Sequence, residues 1–326
     1  MQRAVSRVQT HPWPTRILHV LACAVVIPLG GCRETPTRPA LVLTYRSATD
    51  LADTVHAPPM ESLRTTEAEI ASLLSVLRDP EMLSNRRNLD SALDGSPKDL
   101  PLDLGFGLTR TTYQPGSAHF QSTLSILAYR DSIVRYRIEY PRRGFGTLVR
   151  IISASPRLRA MLRMVVDSSA PFQIRYANPE LDARSHSRVE QALGRASLDS
   201  IADRESRTIV EELSDPLKLL HFGTMCYEDG SPPYGREAVD ALKAKRDWIA
   251  LRQLARSRNS VSRTYAIEAI LGAARDGLRP LDGQDSSLVR AALATDMQVV
   301  VCRGCLVSTG HPEDAIDADL LRLVGR

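Results

Sequence analysis

At 326 residues the chain exceeds a typical single domain and can bury one large core or two modest ones. With 43% hydrophobic and 25% charged residues, its composition excludes a disordered or fibrous protein. Three arginines and no acids of the formal +4 fall within residues 1–32, so the remainder sits near +1, which gives little support to nucleic-acid binding.

In chain order, Arg3, Arg7 and Arg16 precede the uncharged run "ILHVLACAVVIPL", the charged start and apolar centre of a secretory signal, too short to span a bilayer. Pro28 and two glycines break it, and Leu29-Gly30-Gly31-Cys32 follows. This box resembles the bacterial lipobox. The resemblance implies a signal peptide over residues 1–31, a mature chain beginning at Cys32, and diacylglycerol plus an N-acyl chain on that cysteine, an effectively permanent anchor. Residue 33 is arginine rather than aspartate, which in Gram-negative lipoproteins favours the outer membrane, facing the periplasm. The expected partners are therefore a membrane through Cys32 and other envelope proteins, with no nucleic acid.

Residues 32–59 mix proline, threonine and short apolar stretches and read as the lipidated terminus and a tether, with a short strand at "ALVLTY". Leu63, Ile70, Leu73, Leu74 and Leu77 recur at helical spacing ahead of a stop at Asp79-Pro80. Residues 105–152 read as strands. Val134, Tyr136, Ile138 and Tyr140 alternate with Arg135, Arg137 and Glu139, and "FQSTLSILAY" precedes them across a turn near Arg130-Asp131, which predicts a hairpin. A third strand is predicted at "GTLVRIIS". "SPRLRAMLRMVVD" then reads as a helix with Ser155 as N-cap and Pro156 at its first position, and "FQIRYA" as another strand. These elements predict an α+β fold over residues 60–180, a small antiparallel sheet with packed helices.

Residues 181–326 read as a mainly helical subdomain. A long amphipathic helix is predicted over 187–213 with a break near Ser197. Three helices follow between 236 and 276, with Asp247 and Ser260 as N-caps and Gly277 past the last end. Leu242, Trp248, Leu251, Leu254, Tyr265, Ile267 and Ile270 supply packing positions, and residues 239–277 resemble one armadillo or HEAT-type unit. Families of such repeats bind other proteins on their concave faces.

Cys226, Cys302 and Cys305 remain after the signal and the lipid site are set aside. A redox C-x-x-C needs a helix start that lowers the thiol pKa, whereas "LVSTGHPED" follows Cys305. A c-type haem needs histidine at 306, where leucine stands. Zinc held by Cys226, Cys302, Cys305 and either His221 or His311 is a further arrangement. In an oxidising compartment the expected state is a disulfide, within C-x-x-C or from Cys226 to one of the pair.

No H-E-x-x-H, G-x-S-x-G or P-loop occurs, and no cofactor or metal is expected. The histidines are scattered, and "CYEDGSPPYG" has the composition of a turn-rich loop. The remaining candidate is a basic run: Arg135, Arg137, Arg142, Arg143, Arg150, Arg157, Arg159 and Arg163 against Glu139 alone. Guanidiniums fit phosphate and carboxylate groups. Alternating arginines are equally the solvated face of a half-buried sheet, in a chain with four lysines in all. The sequence thus predicts a periplasm-facing, lipid-anchored binding or assembly protein. An envelope enzyme with dispersed carboxylates and an anion-binding protein using residues 135–163 are the alternatives.

Overall fold

The fold is taken from a computed structural model, which describes residues 41–45, 60–93, 99–115, 122–140, 142–166, 173–226, 229–304 and 306–326. The predicted hairpin forms its centre: β4 (Thr123–Tyr129) and β5 (Ser132–Glu139) pair antiparallel. Arg130 and Asp131 join them with φ of 48° and 69°, the left-handed turn whose twist matches that of the strands. Around them stand β1 (Leu41–Tyr45), β2 (Leu102–Gly105), β3 (Leu108–Tyr113), β6 (Leu162–Val166) and β7 (Gln173–Ala177). The seven-stranded order is β2-β3-β4-β5-β7-β1-β6, antiparallel throughout except for the parallel β1–β6 pair. The fold is α+β, as the element pattern predicts.

The pleat sends the two sides of the sheet to different cores. Leu124, Ile126, Tyr136, Ile138, Ile174, Leu41 and Leu43 face one cluster, which is closed by α1 (Met60–Leu77), α2 (Pro80–Ser84), α3 (Arg86–Ala92), α4 (Arg142–Ala154) and α5 (Pro156–Met161). Helix α1 forms where the helical spacing of Leu63 to Leu77 predicts and ends at the expected stop, and Asp79 caps α2 directly behind it, its side chain accepting from the Glu81 N–H at 2.9 Å.

Two elements depart from the sequence prediction, and the strand predicted at "ALVLTY" forms in an unexpected place. "GTLVRIIS" is helix α4 rather than a strand: Leu148, Ile151 and Ile152 recur at helical spacing and all are buried against the sheet. Ser155 does cap α5, accepting from the Leu158 N–H at 3.2 Å, but that helix stops at Met161 and the chain continues as β6. "LVLTY" is an interior strand between β7 and β6, so the sheet begins within the segment read as a tether.

The other side of the sheet, through Leu104, Leu108, Leu127 and Val134, shares a core with the carboxyl-terminal helices. These are α6 (Pro179–Leu193), α7 (Arg204–Leu213), α8 (Tyr234–Ala244), α9 (Trp248–Leu254), α10 (Ser260–Arg275), α11 (Gly283–Leu293), α12 (Pro312–Ala315) and α13 (Ala318–Arg322). The predicted long helix is two, broken by Gly194 and a single turn at Leu198–Ser200. Asn259, not Ser260, caps α10, its side chain accepting from the Val261 N–H at 3.1 Å. Helix α10 is buried almost all round, so it is the axle on which α8 and α9 pack. It even buries Arg263, whose guanidinium donates to the Leu104 and Ser257 carbonyls and pins the sheet to the helices. Residues 38–326 consequently form one compact unit, and the change near residue 180 is a change of layer. A hairpin of β8 (Val299–Arg303) and β9 (Leu306–Gly310) interrupts the helices near the carboxyl end. Among the described residues no helix is long and apolar enough to cross a membrane.

Candidate functional site

The register of the sheet decides where the arginines go. Arg137 on β5 stands opposite Ser125 on β4 and Arg175 on β7, Arg175 stands opposite Val42 on β1, and Val42 stands beside Arg163 on β6. Ser125, Arg137, Arg175, Val42 and Arg163 thus form one row across five strands. Opposite residues share a face, here the one turned toward the helical layer. The next row holds Thr123, Glu139, Gln173 and Thr44. Two like charges directly opposite each other, as at Arg137 and Arg175, are destabilising unless an anion intervenes.

For the inner arginines that anion belongs to the protein. Arg137 pairs with Asp215, holds Glu139 at 3.1 Å and donates to the Leu217 carbonyl at 3.1 Å. Arg135 pairs with Asp182 of α6, whose second oxygen takes Arg258 at 2.6 Å. Burial tends to raise the Asp182 carboxyl, but the hydrogen bonds from Arg135 and Arg258 outweigh it and hold it below the usual carboxylate range. Arg110, on the same face of β3, is buried and donates to the Lys218 carbonyl at 2.7 Å; burial lowers its pKa to about 10. Arg135 and Arg137 are therefore bolts between the sheet and the helices.

Arg175 and Arg163 are exposed, and among the described residues neither has an ion pair. Beside Arg175 opens a cavity of about 520 Å³, lined by Arg135, Arg137, Gln173, Tyr176, Asp215 and Leu217 among others. Arg175 lines it with no ion pair among the described residues, and its one carboxylate, Asp215, is already held by Arg137. That geometry suits capture of a phosphate or carboxylate group.

The basic run is thereby divided. Arg135, Arg137 and Arg163 lie on this face, while Arg150, Arg157 and Arg159 are exposed on α4 and α5, beyond the opposite face. Arg142 and Arg143 open α4, and their side chains lie outside the described residues. Sequence reading missed Arg175, Asp182 and Asp215. The alternation of Gln173 and Arg175 around Ile174 was the available signal for the first, and nothing local marks the two acids as partners of β5.

Of the cysteines, Cys226 and Cys302 are joined in a disulfide with Cα atoms 5.6 Å apart, which occupies two of the thiols weighed for zinc. Cys305 and Cys32 lie outside the described residues. The bond ties the segment after α7 to β8, where Phe222 already bridges Val301 and Cys226 bridges Gly304. Gly223 is required there: a Cβ would sit 2.4 Å from the Cys302 carbonyl oxygen. His221 is half-buried, its pKa lowered by burial and by Arg110, and His311 stands directly before α12. Among the described residues no group of His, Cys, Asp and Glu is arranged to hold a metal.

A second cavity, of about 430 Å³, adjoins the disulfide and contains Glu268, paired with Arg236 at 2.6 Å. A third, of about 410 Å³, lies between α1 and α3 and contains Glu69. Each of these three cavities carries one carboxylate rather than a pair. No protein-family profile, curated protein or solved structure matches the chain.

Proposed function

We propose that the protein is a lipid-anchored binding protein of the bacterial cell envelope, held at the outer membrane through Cys32 and facing the periplasm. In this reading it takes anionic groups on the sheet face that bears Arg175 and Arg163. The observation that carries the binding half is the row Arg137–Arg175–Val42–Arg163. Its inner guanidinium is neutralised by Asp215, while its outer two are exposed with no counter-ion among the described residues. Strands lie about 4.8 Å apart, so Arg175 and Arg163, separated by β1, are about 10 Å apart. A ligand with several phosphate or carboxylate groups, such as a lipid surface or an envelope polymer, engages both. The anchor rests on Leu29-Gly30-Gly31-Cys32 behind the apolar run.

Two experiments test the two halves. Palmitate labelling should mark the wild-type chain and not Cys32→Ala, and equal labelling would remove the anchor. Binding of the chain without its first 32 residues to anionic vesicles and to soluble polyphosphate should weaken with salt. It should also weaken at least about fivefold in Arg175→Glu/Arg163→Glu, the scale of losing exposed charge contacts. Arg150→Glu/Arg157→Glu, on the far layer, should change it little. Equal losses in both double variants would leave only a diffuse charge effect and overturn the site.

A further inference from the structure

The β8–β9 hairpin ends in an edge that nothing among the described residues covers. On its inner side β8 is taken: the Phe222 N–H donates to the Val300 carbonyl at 2.7 Å, and the Cys302 N–H donates to the Phe222 carbonyl at 2.8 Å. Residues 300 and 302 therefore point away from β9. Val299, Val301 and Arg303 point toward it, opposite Gly310, Ser308 and Leu306. By the alternation of a strand, the N–H and C=O groups of Val307 and Thr309 face outward, away from β8. Leu306 through Thr309 are exposed, with Leu306 at 77% and Val307 at 55%. The strand "LVSTG" has none of the devices that blunt an edge: no charge, no proline and no bulge.

We propose that β9 is a self-pairing edge, along which two copies of this chain join antiparallel about a two-fold axis at Ser308. Three features favour a second copy over a foreign strand. With the axis at Ser308, Val307 of each copy faces Thr309 of the other. The four outward N–H and C=O groups then match as four hydrogen bonds, and two pairs of β-branched side chains meet. A neutral strand brings no like charges together at its own axis. The flanks are also complementary. In this register Leu306 faces Gly310 of the second copy, which has no side chain in its way. A Cβ on Gly310 would lie 3.9 Å from the Asp314 carboxylate, so that acid sits on the same face. Arg303, exposed and next to Leu306 in the adjoining strand, is about 10 Å from the second copy's Gly310, within side-chain reach of that carboxylate. The symmetry makes this contact twice.

The test uses the full lipidated chain in detergent. Ser308→Cys on a Cys305→Ser background places two thiols on the axis as a non-hydrogen-bonded pair, where Cα atoms are about 4.5 Å apart and a disulfide can close. A mild oxidant should give a covalent dimer from this variant and none from Gln284→Cys, exposed on α11. Thr309→Pro removes an outward donor while sparing the ladder to β8. It should abolish the cross-link and raise the dimer dissociation constant in sedimentation at least about tenfold, because symmetry removes the bond twice. Val307→Lys should do the same by placing a charge on the edge, with near-native thermal melting. A chain monomeric at every concentration, Ser308→Cys that cross-links no better than Gln284→Cys, or a dimer indifferent to both Thr309→Pro and Val307→Lys overturns the proposal. So does a Ser308→Cys adduct to another protein, which would assign the edge to a foreign strand.

Discussion

Asp182 shows how one carboxylate can hold two layers together. It takes Arg135 from the sheet and Arg258 from the turn before α10, and Arg258 also donates to Ser185 at 3.1 Å. Asp182→Asn keeps the shape but weakens two charge-assisted bonds, so unfolding free energy at pH 7 should drop by about 2 kcal/mol, discounted for partial exposure. The sign with pH follows from its depressed folded pKa. The contribution is present above the unfolded value of about 3.9 and is lost as pH falls through the lower folded value. The difference between wild type and Asp182→Asn, read from urea midpoints, should therefore be full at pH 6 and narrow below about pH 4. A gap that stays constant down to pH 2.5 would mean the two arginines do not hold the carboxylate. Arg263 does similar work from a drier place. Burial lowers its pKa to about 9, and its guanidinium donates to the backbone carbonyls of Ser257 and Leu104.

Among elements, the disulfide is the one covalent tie between the segment after α7 and β8, across 76 residues. On the chain-entropy account such a loop stabilises by about 4 kcal/mol, and native strain usually trims it. Cys226→Ser/Cys302→Ser should cost about 2 to 4 kcal/mol by denaturant unfolding. Wild type under reductant should reach the same value, and a change well under 1 kcal/mol would show that the backbone bridges at Phe222 and Cys226 suffice. Periodicity made α1, β4, β5, β7 and the Ser155 cap legible, because each has a long pattern of one period or a strong punctuating residue. It failed at α4, where Leu148, Val149, Ile151 and Ile152 satisfy strand and helix alike until the sheet supplies the face they cover. It failed again at β6, which follows α5 without a turn residue to mark the change. The arginines were legible as residues but not as a site. Their grouping is a matter of register, and the partners of Arg135 and Arg137 lie 47 and 78 residues away.

For the whole molecule the arrangement is three layers, α1–α5, sheet and α6–α13, with the sheet shared by two cores. A chain so built should unfold as one unit, except where a strand has a single neighbour. β6 is such a strand, for among the described residues β1 alone pairs with it. Deleting residues 33–45 while retaining Cys32 should strip hydrogen-exchange protection from Leu162–Val166 and leave β2, β3 and β4 protected. Protection retained in β6 would show that α5 alone suffices to hold it.

The interior place of β1 also has a consequence for the order of events in time. Leu41 meets Leu162, and Leu43 meets Ile174, so a strand made near the start of synthesis waits for partners made more than a hundred residues later. Local hairpins such as β4–β5 close on contacts a few residues apart, whereas this slot demands a long loop closure first. That delay shapes the sheet: the half carrying Arg175 and Arg163 stays open until the chain has been made through Ala177. The basic face is then among the last parts of the sheet to exist.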